Sequence, residues 1–144
     1  RRTTLQTIET VDARSVVKRD IALRYDERAG YLGTQVYFGS ELLKISQFDR
    51  ILYVRKSGIY TVTEAPAKVF VGPQLRCVTF ADKENLAKIL FTVIYMEKET
   101  HLAYIKRCKI SGYIMNRDYF LAPDGMDVLH VDMRKNFTFT LRYV

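Results

Sequence analysis

Four times along the chain, an apolar run breaks at a charged turn and resumes as a second run rich in aromatic or β-branched side chains. The four stretches are DIALRYDERAGYLG from Asp20, DRILYVRKSGIYTV from Asp49, KILFTVIYMEKETHLAYIKRCKI from Lys88 and DVLHVDMRKNFTFTLRYV from Asp127. Side chains of these types fit a pleated, half-buried surface, and two such runs joined by a polar turn form a hairpin. The starts are separated by 29, 39 and 39 residues. Several strands per unit at a spacing near 40 residues is the sequence mark of a propeller-like array. The pattern predicts an all-β fold.

The connecting segments agree. Ala65-Pro66-Ala67, Val71-Gly72-Pro73 and Ala122-Pro123-Asp124-Gly125 interrupt the apolar runs. Proline cannot donate to a central ladder, and Pro-Asp-Gly is turn chemistry. The stretch ADKENLAKIL, Ala81 to Leu90, holds good helix formers but runs directly into a β-rich segment. It reads as a surface loop or a single helical turn. With 144 residues, 48% hydrophobic and 27% charged, the chain suits one domain with one substantial core, and wholesale disorder is excluded. Residues 1–18 read as an entry segment from a missing upstream region, since the chain begins Arg1-Arg2-Thr3-Thr4 without methionine.

Chemistry-bearing residues are sparse. Cys77 and Cys108 stand far apart, as do His101 and His130, and no pair has the close spacing of a zinc site. Two isolated cysteines read as reduced, buried residues of a cytoplasmic protein. Ser57-Gly58 and Ser111-Gly112 lack the nucleophile-elbow context, and Gly30-Tyr31-Leu32-Gly33 is too short for a phosphate loop. Asp124, Asp127 and Asp132 are explained by turn and capping chemistry. No catalytic or metal-ligating residue and no cofactor is expected in this chain. No apolar run approaches the length of a membrane span, so no membrane partner is expected either.

Charge is the informative quantity. Lys and Arg number 23 against 16 acids, a net charge of +7. The sequence pI of about 9.5 matches the electrostatic footprint of nucleic-acid binders. The repeated hairpins place cations at or near their turns: Arg28 in the first, Arg55 and Lys56 in the second, Lys98 in the third, Arg134 and Lys135 in the fourth. A solvated turn accounts for each singly, because charge at a tip also keeps strand edges from pairing. Recurrence at one place in several hairpins favours a binding rim. A separate cluster, Lys106, Arg107 and Lys109, sits in an expected strand. Period-two geometry puts Arg107 and Lys109 on one face and Lys106 with Tyr104, Cys108 and Ile110 on the other. Phe137, Phe139, Leu141 and Tyr143 alternate with polar residues and read as core, as do Tyr53, Tyr60 and Tyr95 at its rim. Arg1-Arg2 adds basic reach from a linker.

The stretch RILYVRKSGIYTV resembles a blade of the C-terminal domain of bacterial type IIA topoisomerase A subunits, the A subunits of DNA gyrase and topoisomerase IV. RDIALRYDERAGYLGT, from Arg19 to Thr34, is similar to the first such element. TLQTIETVDA is similar to the entry segment, and AKVFVGPQL, Ala67 to Leu75, to the segment between blades. The resemblance spans about Thr3 to Arg142. It implies a β-pinwheel in a short form of about three blades, binding or bending double-stranded DNA along a basic perimeter. It also implies two partners, a parent catalytic core and an ATPase B subunit, together with a location in the bacterial cytoplasm at the nucleoid. Nothing here reads QRRGGKG, the basic glycine-rich box of gyrase, which favours a topoisomerase IV-like role. None of the tyrosines sits in the family's catalytic motif. Two other readings remain open: a propeller-like module for an acidic protein partner, and a small barrel for RNA or single strands.

Overall fold

The computed structural model describes residues 18–136, 138–140 and 142. Arg1-Arg2, nearly all of the expected entry segment, Phe137, Leu141 and Tyr143 lie outside the described residues. In chain order the elements are β1 (Ile21–Asp26), β2 (Tyr31–Gly33), β3 (Ser40–Ile45), β4 (Arg50–Val54), β5 (Ile59–Glu64) and β6 (Val69–Phe70). There follow β7 (Cys77–Phe80), α1 (Lys83–Lys88), β8 (Phe91–Glu97), β9 (Ala103–Cys108), β10 (Asp118–Phe120) and β11 (Met126–Asp132). The fold is all-β, with α1 its one helix among the described residues. None of these is long and apolar enough to cross a membrane.

The strands form three antiparallel sheets, ordered β3-β1-β2-β6, β10-β5-β4-β7 and β11-β8-β9. The first three predicted hairpins are present, as β1-β2, β4-β5 and β8-β9. The fourth is not. β11 forms as expected but pairs with β8, and the described residues after Asp132 hold no strand. DVLHVDMRKNFTFTLRYV therefore begins with the closing strand of the third sheet, in the place β3 and β7 occupy in the other two. Phe139, expected in the core, is 41% exposed. Alternation of apolar and polar residues fixes a face only where a partner strand holds the register.

The second sheet lies between the other two, and its central strand shows why. Along β4 the side chains alternate: Ile51 and Tyr53 join a core with Leu23, Leu32, Ile45 and Val71, whereas Leu52 and Val54 join one with Phe91, Val93, Val128 and Val131. A strand with both faces covered reads as a continuous apolar run, as Ile51 to Val54 does. Tyr60 is buried with the second core and Tyr95 packs partly buried against it, in line with expectation.

One rule governs the connections. In the second and third units, the link between the second and third strands supplies a short strand to the sheet before it. β6, between β5 and β7, pairs with β2 through Tyr31↔Phe70 and Leu32↔Val69. β10, between β9 and β11, pairs with β5 through Thr61↔Asp118, Tyr60↔Tyr119 and Ile59↔Phe120. An aromatic contact marks each seam: Tyr31 meets Phe70 edge-on at 5.5 Å, and Tyr60 stacks on Tyr119 at 5.2 Å.

α1 is longer than the single turn expected. Asp82 caps it by accepting the Asn85 amide (3.1 Å), and Leu86 anchors it in the core. The β3-β4 corner is held by Asp49, 5% exposed, whose carboxylate accepts the Ser46 amide at 2.7 Å and the Arg19 guanidinium at 3.1 and 3.2 Å. Burial opposes its charge, but these donors outweigh that and hold its pKa below the ordinary carboxylate value. At Asp132, 6% exposed, the Arg134 guanidinium is the main cause of a stronger depression; burial opposes it, and the Arg134 amide and His130 assist it. A carboxylate with a depressed folded pKa stabilises the fold above its unfolded value of about 3.9, and that stability is lost as pH falls through the folded pKa. Thermal midpoints are therefore expected to drop steeply below about pH 4. Asp49→Asn should be less stable at neutral pH and show a shallower acid slope; an unchanged slope would remove Asp49 from this account.

Candidate nucleic-acid interface

The predicted cations fall into separate groups. Arg55, Lys56 and Lys98 line one open cleft of about 880 Å³ beside the tips of β4-β5 and β8-β9. Arg107 and Lys135 line a second of about 470 Å³, and Lys109 a third of about 520 Å³. Arg28 sits exposed in the β1-β2 turn, where Asp26 accepts the Arg28 amide at 3.1 Å, and it lines none of these clefts. The tips of the second and third sheets thus converge on the large cleft, and the first hairpin's turn reaches its wall only through Gly30, whose carbonyl accepts the Val71 amide at 2.8 Å.

Several of these side chains also have work inside the fold. Arg55 pairs with Asp118 at 2.9 Å, and Asp118 accepts the Thr61 hydroxyl at 2.6 Å, so Arg55 helps fasten β10 to the second sheet. The Thr61 hydroxyl, with Arg55 beside it, keeps the Asp118 carboxyl below its usual pKa. Lys106 Nζ donates to the Leu121 carbonyl (3.2 Å), and Lys109 Nζ to that of Ala87 (3.1 Å). Arg107 donates to Thr92 Oγ1 (3.3 Å) and the Lys135 carbonyl (2.7 Å). Arg134 is engaged with Asp132 at 2.7 Å. β9 ends at Cys108, so Lys109 lies just past the strand that was expected to hold it.

Lys56 and Lys98 are the exposed cations of the large cleft; Lys98 has a long contact of 3.7 Å with Asp127. Arg76, which the sequence did not single out, completes it. The Arg76 guanidinium donates to the Lys56 carbonyl (3.2 Å) and the Val128 carbonyl (3.0 Å), bridging the second sheet's tip to the third sheet. It precedes β7 in a loop without other charge, so only the folded arrangement brings it to the tips. The cleft is lined by four cations and one carboxylate, Asp127, with Phe120 and Leu129 exposed at its walls. Such a surface attracts polyanions.

The cysteines are unpaired with each other. Burial pushes the Cys77 thiol up to about 12, so at neutral pH it is a packing residue rather than a nucleophile.

Comparison with known proteins gives the geometry a lineage. No solved structure matches the chain. Over 119 residues it is 24% identical to the A subunit of DNA topoisomerase 4 from Borreliella burgdorferi, an alignment covering 83% of this chain and 19% of that protein. The chain thus spans about a fifth of that relative's length. The model of the topoisomerase C-terminal domain of Bacteroidota matches residues 22–144, from the second residue of β1 to the end of the chain. The chain belongs to this topoisomerase C-terminal domain family.

Proposed function

We propose that this chain is a non-catalytic, duplex-DNA-binding domain of a type IIA topoisomerase A subunit, with its three sheets arranged as the blades of a short β-pinwheel. In this reading it holds a DNA segment by its phosphates and presents it to a separate strand-passing core that works with an ATPase B subunit. The parent enzyme would be topoisomerase IV-like and cytoplasmic, close to the nucleoid. The observation that carries the proposal is the convergence of Arg55, Lys56, Arg76 and Lys98 on one cleft in a chain of net charge +7. Membership of the family supports it. Lysines spaced along rigid turns suit a line of phosphates, because each neutralised phosphate releases condensed counterions.

The test is fluorescence anisotropy with a mixed-sequence duplex across a salt series. Affinity should fall steeply between about 50 and about 200 mM salt, with little sequence preference. Lys56→Glu with Lys98→Glu should weaken binding uniformly and reduce the salt slope by about one per lysine. Lys44→Glu, a matched charge reversal on β3 in the first sheet, should weaken it far less. Binding that ignores salt, or equal effects of the two sets of reversals, would overturn the proposal. Weak duplex binding that heparin displaces as readily as unlabelled duplex does would favour the acidic-protein-partner reading.

A further inference from the structure

The rule that a unit supplies a strand to the preceding sheet leaves one contributing segment and one accepting edge without a match. The first and second sheets are completed beside β2 and β5 by β6 and β10. The corresponding edge of the third sheet, along β9, pairs with no strand among the described residues. It is a six-residue edge whose first half is apolar and exposed, with Leu102 beside it 54% exposed. Tyr104 is 40% exposed and stacked on Tyr95 at 5.5 Å, and Ile105 is 55% exposed at the rim of the cleft shared with Thr138 and Phe139. The second half carries Lys106 and Arg107, so the apolar first half is the part open to pairing. An edge of this kind is a template for strand addition.

At the other end, the first unit has the equivalent link between β2 and β3, and no sheet before it among the described residues receives a strand from it. That link is TQVYFG, Thr34 to Gly39. Its Val36-Tyr37-Phe38 parallels Val69-Phe70 of β6 and Asp118-Tyr119-Phe120 of β10. Tyr37 and Phe38 are 79% and 78% exposed, the highest values of any large apolar side chains described. The segment is held at both ends. The Thr34 and Gln35 amides donate to the Pro66 and Ala67 carbonyls at 2.9 and 2.8 Å, and Val36 is buried. Gly39 turns the chain at φ +89° against the Tyr25 carbonyl. The two rings thus project from an anchored loop, so little ordering entropy opposes their capture.

The aromatic seams supply the chemistry of recognition. The accepting tyrosine is Tyr31 in the first sheet and Tyr60 in the second, each at or next to the start of its hairpin's second strand. The same position of the third sheet is Tyr104, on β9. The first and third sheets pack on opposite faces of the second, so the contributing and accepting sites belong to opposite ends of the array.

We propose that the Val36–Phe38 segment of one copy adds as an antiparallel strand to β9 of a second copy, placing Tyr37 beside Tyr104. The contact is head-to-tail, so each copy keeps one free end and association continues until a ring closes. The surface is separate from the cationic cleft, and the proposal stands whether or not that cleft binds DNA.

Sedimentation velocity over a concentration series tests it. The wild-type chain should form concentration-dependent dimers and larger species. Tyr37→Ser/Phe38→Ser removes the contributing end. Tyr104→Ser removes the accepting end, and Ile105→Lys does so independently by placing charge on the edge. Each variant alone should self-associate at least about tenfold more weakly, about 1.4 kcal/mol. All these residues are exposed, and circular dichroism matching the wild type confirms folding. A 1:1 mixture of the contributing-end and accepting-end variants should restore one contact and stop at a capped dimer, which a merely sticky surface would not do. A monomer at every concentration, oligomers unaffected by Tyr37→Ser/Phe38→Ser, or a mixture that forms no dimer would each overturn the proposal. So would slow hydrogen exchange along the outer edge of β9 in the monomer, because a segment of the same chain would then fill it.

Discussion

Leu52→Ala is expected to cost about 2–5 kcal/mol of stability, and Ile51→Ala a similar amount, although the two side chains point into different cores. Both residues are fully buried. Leu52 packs with Phe91, Val93 and Val128, and Ile51 with Leu23, Leu32 and Ile45. Deleting either side chain loses transfer free energy and leaves a cavity that the sheets cannot close, because the neighbouring side chains are held by strand pairing. β4 sits inside its sheet, with β5 on one edge and β7 on the other, so it has no free edge by which to relax. Urea unfolding is the measurement, and the midpoint should move with little change in slope. The two cores share the β4 backbone, so each variant should still unfold in one step. A cost below about 1 kcal/mol at either position would mean that the second sheet is not packed on both faces.

Gly33→Ala should be nearly as damaging, for a different reason. A Cβ at Gly33 would lie 2.1 Å from the Ala67 carbonyl oxygen, 2.5 Å from its carbon and 2.8 Å from Lys68 Cα. All three are backbone atoms, so no rotamer change relieves the clash. The chain entering β6 must move away from β2, which breaks the seam where Tyr31 meets Phe70. A cost of about 1–3 kcal/mol or more is expected from such overpacking. Hydrogen exchange should quicken at Leu32 and Val71 before it quickens in the third sheet. Gly112→Ala is the matched control, since a Cβ there meets nothing within 4 Å. Equal stabilities for the two variants would show that β6 approaches β2 less closely than described.

The hairpins were legible because their information is local. In RILYVRKSGIYTV the turn and nearly all of both strands lie within 13 consecutive residues, and pairing follows the register Leu52↔Val62 and Val54↔Tyr60. Strand supply between sheets was not legible. Val69-Phe70 and Asp118-Tyr119-Phe120 are too short to show a period, and their partners lie across an intervening hairpin. The same blindness produced the fourth hairpin: VDMRKNF has the composition of a turn, but β11 was committed to β8. Among the cations, exposure was readable and pairing was not. Arg55 and Lys56 are adjacent in sequence, yet one is paired with Asp118 and the other stands exposed at the cleft. Asp118 lies far from both along the chain, and Arg76 reaches the cleft only through carbonyls of two different sheets.

The supplied strands also set a timetable for synthesis. On a ribosome, the first sheet has three of its strands once Ile45 has emerged, but its fourth waits for Phe70, roughly 25 residues later. At about 5–20 residues per second that wait is about one to five seconds, long compared with the microseconds in which a hairpin forms. Throughout it the outer edge of β2 is open beside a nascent apolar chain. The second sheet repeats the wait until Phe120 emerges. The first and second units are therefore each sealed by the unit that follows, and translation speed along residues 46–70 becomes a determinant of how cleanly the domain is made.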